Sequence, residues 1–283
     1  MHEDSTLQVI HANHLFSPLR PKIPLSWEDD VLQMQSNDKS RLQYLSSRAL
    51  DRPILPIAFG ISVTHNPTYV AMVGVGTPAQ NLLLALDTGT NAAWVPCSGC
   101  IGCSSAIFDS TMSSTFRTVA CGSPQCNQVP HPSCDGNSCG LNLTYCGNSH
   151  LTANLIQDTL TLSDNVIPGI TFGCIQKTDG PSIPAQGLLG LDQGPISLIS
   201  QTPSIYQSTF SYCLPSYNSS GFTGSLKLGP KYHPIHIKST PLLRNPTRPS
   251  LYYVHAVAVS VGANVVNIPP SAFALDPNTG DVN

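Results

Sequence analysis

Apolar and polar residues alternate along most of the chain with the two-residue period of β-strands. Thr68–Val75 alternates in this way, and Leu82–Leu86 is a continuous apolar run typical of a buried strand. Further short β-rich runs cover residues 155–162, 170–174, 208–214, 222–228 and 251–261. Only 196–206 has a helical pattern in this part of the chain. The pattern after residue 53 therefore predicts an all-β body of sandwich or barrel type.

The first fifty residues have a different pattern. Ser26 can cap a helix, with Asp29 three residues later in the capping-box position, and apolar residues then recur near helical spacing over about 26–49. This stretch is either an amphipathic helix outside the main body or an ordinary packed helix. The proline-rich run Pro53–Pro56 marks a boundary. Beyond it the charge pattern changes, because Arg117 is the only basic side chain between Pro53 and Ile175.

Composition narrows the class of protein. Charged residues make up 10% of the 283 residues and the net charge is −3, which excludes a disordered chain and argues against a nucleic-acid binder. No apolar run approaches 18 residues, so we expect no membrane span. Ten cysteines, eight of them between residues 97 and 146, and the sequons Asn142-Leu143-Thr144 and Asn218-Ser219-Ser220 indicate the secretory pathway. The N-terminus carries no visible signal peptide, and one explanation is that the chain as given lacks its start.

A candidate for chemistry is the turn Asp87-Thr88-Gly89-Thr90, which follows the apolar strand 82–86. A carboxylate at a tight turn suits hydrolysis in which an aspartate activates water. The glycine allows close backbone approach, and the threonine hydroxyls can hydrogen-bond around the carboxylate. As a bare triplet, Asp-Thr-Gly is also a common turn. The preceding apolar strand and the following Trp94-Val95-Pro96 make the pattern much more specific.

With these residues the sequence resembles the pepsin-like aspartic proteases, in their plant, nepenthesin-type branch. The resemblance runs from about Ser26 to the end of the chain and includes the cysteine-rich insert. The segments that carry it are Val75-Gly76-Thr77-Pro78-Ala79-Gln80, Leu86-Asp87-Thr88-Gly89-Thr90, Trp94-Val95-Pro96-Cys97, Phe172-Gly173-Cys174, Gln186-Gly187-Leu188-Leu189-Gly190-Leu191 and Phe210-Ser211-Tyr212-Cys213-Leu214.

The resemblance implies a mainly β, bilobal acid-protease fold in which each lobe donates one aspartate to a shared water. Asp87 would be the first aspartate, supported by Thr88, Gly89 and Thr90. The implied activity is hydrolysis of peptide or protein substrates at acidic pH, without a cofactor. Leu188-Leu189-Gly190 is similar to the element that crosses beneath the catalytic loop. Asp192 stands where glycine is usual in the family.

The family closes a flap over its substrate, and the flap carries a tyrosine followed by glycine. The candidate here is Tyr145, whose phenol would reach the indole N–H of Trp94. The other interpretation is a half-buried strand tyrosine. It stays open because Cys146 interrupts the family's pattern and would shift the register of the flap by one residue.

The cysteine run Cys97-x-x-Cys100-x-x-Cys103 also suggests a metal site, but neither an iron–sulfur nor a zinc spacing is complete. Disulfides are favoured, and no metal is expected. The family's pattern implies the pairs Cys97–Cys100, Cys103–Cys174, Cys121–Cys139 and, nested within the last, Cys126–Cys134. On the same pattern Cys213 would pair with a cysteine of the far lobe, and Cys146 is surplus.

The resemblance divides the chain into a propeptide-like segment (1–65), an N-terminal catalytic lobe (66–235) and the beginning of a truncated C-terminal lobe (236–283). Asp276 is rejected as the second catalytic aspartate, because Pro277 and Asn278 separate it from Thr279-Gly280. One aspartate cannot serve as both acid and base. We therefore expect a monomer with little or no peptidase activity on its own.

The resemblance implies two classes of function. The first is an aspartic endopeptidase precursor, and the second is a non-catalytic extracellular binding or inhibitor protein on the same fold. The intact Asp87-Thr88-Gly89 favours the first. The family implies an apoplastic or vacuolar location, with Asn142 and Asn218 as glycosylation candidates.

Overall fold

The computed structural model describes residues 26, 28, 29, 31, 32 and 35, and residues 53–274 apart from 63, 65–66, 104–105, 181–182, 185, 220 and 231–237. The chain divides into two compact units, Met1–Ser46 and Ser47–Asn283. In the first unit the Asp29 N–H donates to Ser26 Oγ at 3.1 Å, which confirms the predicted helix cap. The described residues from 28 to 35 are helical, and the rest of the predicted helix 26–49 lies outside the described residues.

The second unit is built almost entirely from strands. Its strands are β1 (Ile54–Phe59), β2 (Tyr69–Val75), β3 (Gln80–Asp87), β4 (Trp94–Ile101), β5 (Arg117–Thr118), β6 (Ser133–Asp135), β7 (Ser138–Tyr145), β8 (Ser149–Leu162), β9 (Asn165–Asp179), β10 (Leu188–Gly190), β11 (Phe210–Cys213), β12 (Gly224–Leu228), β13 (Leu242–Leu243), β14 (Tyr253–Val254), β15 (Ser260–Val261) and β16 (Asn264–Val265). The helices α1 (Leu198–Gln201) and α2 (Pro203–Tyr206) have four residues each. Within the described ranges, no helix is long and apolar enough to cross a membrane.

Twelve strands form one sheet, in the order β11-β12-β1-β2-β3-β10-β4-β9-β8-β7-β6, with β5 paired to β8. The strand β2 also pairs with β8, through Gly74↔Thr161 and Val75↔Leu160. This extra pairing joins β2, β3, β10, β4, β9 and β8 into a closed ring. The mainly β fold class is therefore confirmed, and its central part is a barrel.

The strands β4 and β10 divide the interior into two apolar clusters, because successive side chains of a strand point to opposite faces. On β10, Leu188 joins one cluster and Leu189 the other; on β4, Trp94 and Val95 do the same. Burial of each such side chain contributes about 1.5–3 kcal/mol. The strands β4 and β10 are therefore anchored in packed cores.

Two stretches differ from the sequence expectation. The predicted run 251–261 forms only β14 and β15, in two separate two-stranded sheets, and Val257 between them is 78% exposed. Hydrophobic alternation alone does not make a long strand where no neighbouring strand pairs with it. The helical region 196–206 is split into α1 and α2 by Pro203, which has no N–H to continue α1.

The strand β1 lies within the segment 1–65 that the resemblance described as propeptide-like. It pairs with β2 on one side and with β12 on the other, for example through Ile57↔Ala71 and Leu55↔Leu226. The sheet therefore begins before residue 66. The division of the chain at residues 65 and 235 stays a prediction.

Candidate active site

The carboxylate of Asp87 is held at both oxygens by its own turn. The backbone N–H of Gly89 donates to Oδ1 at 2.8 Å, and the hydroxyl of Thr90 donates to Oδ2 at 2.6 Å. Hydrogen bonds to a carboxylate fix its orientation. Asp87 itself is half-buried, while Thr88 and Gly89 are exposed. The turn thus presents an oriented acid that solvent can reach.

A left-handed backbone conformation is not the reason for glycine at position 89. Its φ lies outside the positive range, and an added Cβ would meet Asp87 Oδ1 at 3.4 Å and Leu251 Cδ2 at 3.9 Å, both ordinary contacts. The space above Gly89 is therefore bounded by the carboxylate on one side and an apolar side chain on the other.

The strand β10 supports the Asp87 turn from below. It runs parallel to β3 with Gly190 opposite Asp87, and the N–H of Leu191 donates to the backbone carbonyl of Asp87 at 2.8 Å. A Cβ on Gly190 would stand 2.5 Å from the carbonyl oxygens of both Thr90 and Ala92. The segment that resembles the family's crossing element therefore lies against the turn, at a distance that only glycine permits.

Tyr145 and Trp94 are joined by the hydrogen bond that the sequence led us to expect. The indole N–H of Trp94 donates to the Tyr145 hydroxyl at 2.8 Å, and the two rings meet edge to face with centroids 6.2 Å apart. Burial raises the pKa of Tyr145, hydrogen bonds with Trp94 and Thr90 act against this, and the charge of Asp87 adds to it. The phenol therefore stays protonated and lies close to the Asp87 turn.

The extra residue Cys146 does not disturb the register of β7. The pairing with β8 continues without a bulge from Gly140↔Asn154 to Tyr145↔Ser149. A 3₁₀ turn over Cys146–Asn148 then absorbs the added residue, with Gly147 and Asn148 both at positive φ. Tyr145 accordingly keeps its side of the strand. Its role as a flap residue remains a prediction.

A second carboxyl group, Asp192, lies in the loop after β10. It is 1% exposed, and its Oδ1 accepts the N–H of Gly194 at 2.7 Å. Burial raises the pKa of Asp192, hydrogen bonds from Gly194 and Ser250 partly offset this, and the charge of Asp87 adds to the rise. Sequence reasoning noted the departure from glycine at this position but predicted no role for it.

Residues 250–252 lie against the same loop. The Gln193 N–H donates to the Ser250 carbonyl at 2.8 Å, and the Gln193 side-chain amide donates to the Leu251 carbonyl at 3.0 Å. The Tyr252 hydroxyl donates to the Leu191 carbonyl at 2.8 Å. Sequence reasoning missed this contact, because its only signal, the alternation over 251–261, predicted a strand and no partner.

All eight cysteines proposed for disulfides are in disulfides, but each of the four pairings implied by the resemblance is wrong. The observed pairs are Cys97–Cys174, Cys100–Cys103, Cys121–Cys134 and Cys126–Cys139. Strand pairing explains the first two. Because β4 runs parallel to β9 with Val95 opposite Cys174, Cys97 comes within a Cα separation of 5.5 Å of Cys174. Cys100 and Cys103 are then left to close their own turn.

Burial explains the other two pairs. The β6–β7 hairpin places Cys134 directly opposite Cys139 on the neighbouring strand. Cys126 and Cys139 are 1% and 0% exposed and meet in the same apolar cluster, whereas Cys121 and Cys134 lie nearer the surface. Cys213 is exposed and unpaired among the described cysteines. In the part of the chain that the structure describes, no group of three or more His, Cys, Asp or Glu could hold a metal ion.

Comparison with known proteins shows the family to which this chain belongs. Residues 69–230 match the family model described as xylanase inhibitor N-terminal. Aspartyl protease AED3 of Arabidopsis thaliana is 47% identical over 97% of this chain and 63% of its own length. Aspartyl protease 25 of Oryza sativa subsp. japonica is 40% identical over 97% of this chain and 65% of its own length. Aspartic proteinase nepenthesin-1 of Nepenthes gracilis is 35% identical, over 75% of this chain and 49% of that protein.

Solved structures agree on the fold. Conglutin gamma, a basic 7S globulin from lupine seeds, superposes with a TM-score of 0.58 and 25% identity, over 76% of this chain and 61% of that one. The basic 7S globulin from soybean has a TM-score of 0.56 at 23% identity, over 76% of this chain and 59% of that one, a likeness of fold alone. The chain spans just under two thirds of the length of the first two plant relatives. With the family model matching more than half of its residues, the chain belongs to the pepsin-like aspartic protease family, among the plant aspartyl proteases that include the nepenthesins.

Proposed function

We propose that this chain supplies one of the two catalytic carboxyl groups of an aspartic endopeptidase, and that Asp87 is this group. The observation that carries the proposal is the Asp87 turn. Its two carboxylate oxygens are oriented by Gly89 and Thr90, its backbone is fixed by β10, and Thr88 and Gly89 are exposed to solvent. Family membership supports a peptide or protein as the substrate.

The chemistry needs a second carboxyl group. When two carboxyl groups share a site, they cannot both ionise, so one acts as base on a water molecule while the other, protonated, donates to the peptide carbonyl. The pair titrates as a unit, and hydrolysis is therefore expected at acidic pH. Tyr145, held by Trp94 beside the turn, is proposed as the flap residue that closes over the substrate.

The 283-residue chain alone is expected to be inactive. The triplet Asp-Thr-Gly occurs once in its sequence, at Asp87, and Asp-Ser-Gly does not occur. Asp192 is not a substitute, because its carboxyl group is buried and bonded to Gly194. The second carboxyl group would come from a C-terminal lobe such as the one in the longer relatives.

A chimera tests this proposal. The chain is joined to the C-terminal part of the 47%-identical Arabidopsis relative that lies beyond the matched region. The chimera should cleave a fluorogenic peptide at acidic pH and should be inhibited by pepstatin, whereas the chain alone should not cleave it. Asp87→Asn in the chimera should abolish cleavage, with Asp135→Asn at an exposed position as the control. A chimera that folds and shows no Asp87-dependent cleavage would contradict the proposal, as would pepstatin-sensitive cleavage by the monomeric chain alone.

The second candidate is a non-catalytic binding protein that inhibits a cell-wall-degrading enzyme. The name of the matching family model supports it, and so does the shared fold with the basic 7S globulins. Titration of a xylanase with the chain discriminates between the two. Stoichiometric inhibition that survives Asp87→Asn would favour the binding protein.

We propose a secretory route for the protein, supported by its four disulfides, which form and persist in oxidising compartments. Asn142 on β7 and Asn218 in a turn are both exposed, as glycan acceptors must be. Peptide N-glycosidase treatment of protein secreted from plant cells should lower its mass by the glycans at these sites. No change in mass would contradict the assignment of both sites.

A further inference from the structure

We propose that Asp192 is a positioning residue of the cleft, which clasps residues 250–252 to the loop after β10 and so holds Leu251 beside the Asp87 turn. This inference rests on the proposed function only in treating the Asp87 turn as part of a substrate cleft. The name "clasp" denotes here the contacts of Leu191, Asp192 and Gln193 with Ser250–Tyr252.

The clasp joins two segments more than fifty residues apart through consecutive residues on each side. Leu191 and Gln193 bond to Tyr252, Ser250 and Leu251 through the three hydrogen bonds already described. Between them, Asp192 interacts with the Ser250 side chain. Asp192 is the only one of these side chains that is ionisable at acidic or neutral pH, and it is 1% exposed. The protonation state of Asp192 therefore affects the contact between the two segments at its middle residue.

The clasp fixes the position of an apolar side chain at the edge of the cleft. Leu251 Cδ2 lies 3.9 Å from the point where a Cβ on Gly89 would stand, so it borders the open space above the carboxylate of Asp87. Gln193 donates hydrogen bonds to the carbonyl before Leu251, that of Ser250, and to the carbonyl of Leu251 itself. The backbone of Leu251 is therefore fixed at both ends. If the clasp opens, Leu251 loses its fixed place relative to Gly89.

The charge of Asp192 should loosen the clasp. Burial is the main reason that the pKa of Asp192 is raised. Two titratable groups face it, Asp87 and Tyr252. The charge of Asp87 adds to the rise, and the pKa of Tyr252 is itself raised by burial and by the charge of Asp192. A group with a raised pKa in the folded state binds its proton more tightly there than in the unfolded state. The stabilising contribution of Asp192 is therefore complete below the unfolded value of about 3.9 and declines as pH rises through the raised folded pKa. The clasp is expected to be tightest under acidic conditions.

Amide exchange on the 283-residue chain tests the proposal without any catalytic assay. The readout is the protection of the Gln193 N–H, corrected for the intrinsic pH dependence of exchange, together with the nuclear Overhauser effect between the Leu251 methyls and Gly89. In the unmodified chain both should be stronger near pH 4 than near pH 7. Asp192→Ala should lower the protection about fivefold or more at about pH 4, the factor that the net contribution of one hydrogen bond represents.

The isosteric variant Asp192→Asn separates positioning from mere packing. It keeps an acceptor for Gly194 and gains a donor for Ser250, but it does not titrate. It should therefore restore the protection and the Leu251–Gly89 signal, both now independent of pH. Asp135→Asn, at an exposed position of the β6–β7 hairpin, should leave the protection of Gln193 and its pH profile unchanged.

Each outcome decides the inference. If Asp192→Asn keeps the pH profile of the unmodified chain, or if Asp192→Ala keeps its protection, Asp192 does not control the clasp. Should Asp192→Ala fail to fold, Ser250→Ala removes the same contact from the partly exposed side and should also lower the protection of Gln193. Loss of protection without loss of the Leu251–Gly89 signal would overturn the positioning of Leu251. Inactivity of the chimera would instead refute the proposed function and leave these results unaffected.

Discussion

Gly190→Ala is the substitution for which the structure makes its sharpest prediction. The new Cβ would stand 2.5 Å from the carbonyl oxygens of Thr90 and Ala92, at least half an ångström inside the closest approach that real Cβ atoms show. Both are backbone oxygens, one in the Asp87 turn and one two residues after it, so neither can rotate away as a side chain would. Either β10 separates from β3 or the turn deforms.

The cost can be worked from these contacts. Overpacking of a well-packed interior typically costs about 1–3 kcal/mol, and two simultaneous clashes with backbone place this substitution at the upper end. Displacement of β10 also weakens the bond from the Leu191 N–H to the Asp87 carbonyl, which contributes about 1 kcal/mol. We therefore expect a loss of about 3–4 kcal/mol in the free energy of unfolding.

Equilibrium denaturation in urea, followed by circular dichroism, measures this loss. Gly173→Ala is the matched control, since Gly173 also lies in a strand without positive φ, but its Cβ would meet only side chains, the nearest being Trp94 Cβ at 3.1 Å. The control should cost about 1–2 kcal/mol. If the two substitutions destabilise equally, crowding by the Asp87 turn is not the reason for glycine at position 190.

Two further predictions concern single polar contacts. Tyr145→Phe keeps the ring contact but leaves the fully buried indole N–H of Trp94 without its acceptor, and it should cost about 1–3 kcal/mol in urea denaturation. Strict additivity with Trp94→Phe would contradict the predicted coupling. Hydrogen bonds from the Thr111 side chain and backbone lower the pKa of Asp109, so its stabilising contribution is present above the unfolded value of about 3.9 and is lost as pH falls through the folded pKa. Asp109→Asn should therefore lower the Tm near pH 7 but not near pH 2, and an equal decrease at both would refute this reasoning.

Local pattern was enough to predict most of the strands. The runs 68–75, 82–86 and 155–162 correspond to β2, β3 and β8 and extend beyond them by one residue at most. Each run alternates or is continuously apolar, and each strand has a partner on both sides. The same alternation over 251–261 failed as a prediction of one continuous strand. Its valines face solvent, because strand formation depends on a neighbour that the local pattern does not reveal.

In the candidate site, too, contacts between residues close in sequence could be predicted and contacts between distant residues could not. Asp87 and the two groups that donate hydrogen bonds to its carboxylate, in Gly89 and Thr90, lie within four consecutive residues. The sequence was therefore sufficient to identify this turn as a candidate. The contact between Tyr145 and Trp94 could be anticipated only through resemblance, because it spans 51 positions along the chain. No pattern in the sequence linked Asp192 to residues 250–252, since these two segments meet only in the folded chain.

By itself, the sequence determined the mainly β class, the helix cap at Ser26 and the candidate turn at Asp87. These depend on residue type and on short-range spacing. Only the tertiary structure decided how the cysteines pair, because the bond between Cys97 and Cys174, 77 residues apart, follows from the parallel alignment of β4 with β9. It also decided that Gly190 must be glycine and that Asp192 is buried, since strand order and register set which distant backbone atoms lie within a few ångströms of each other.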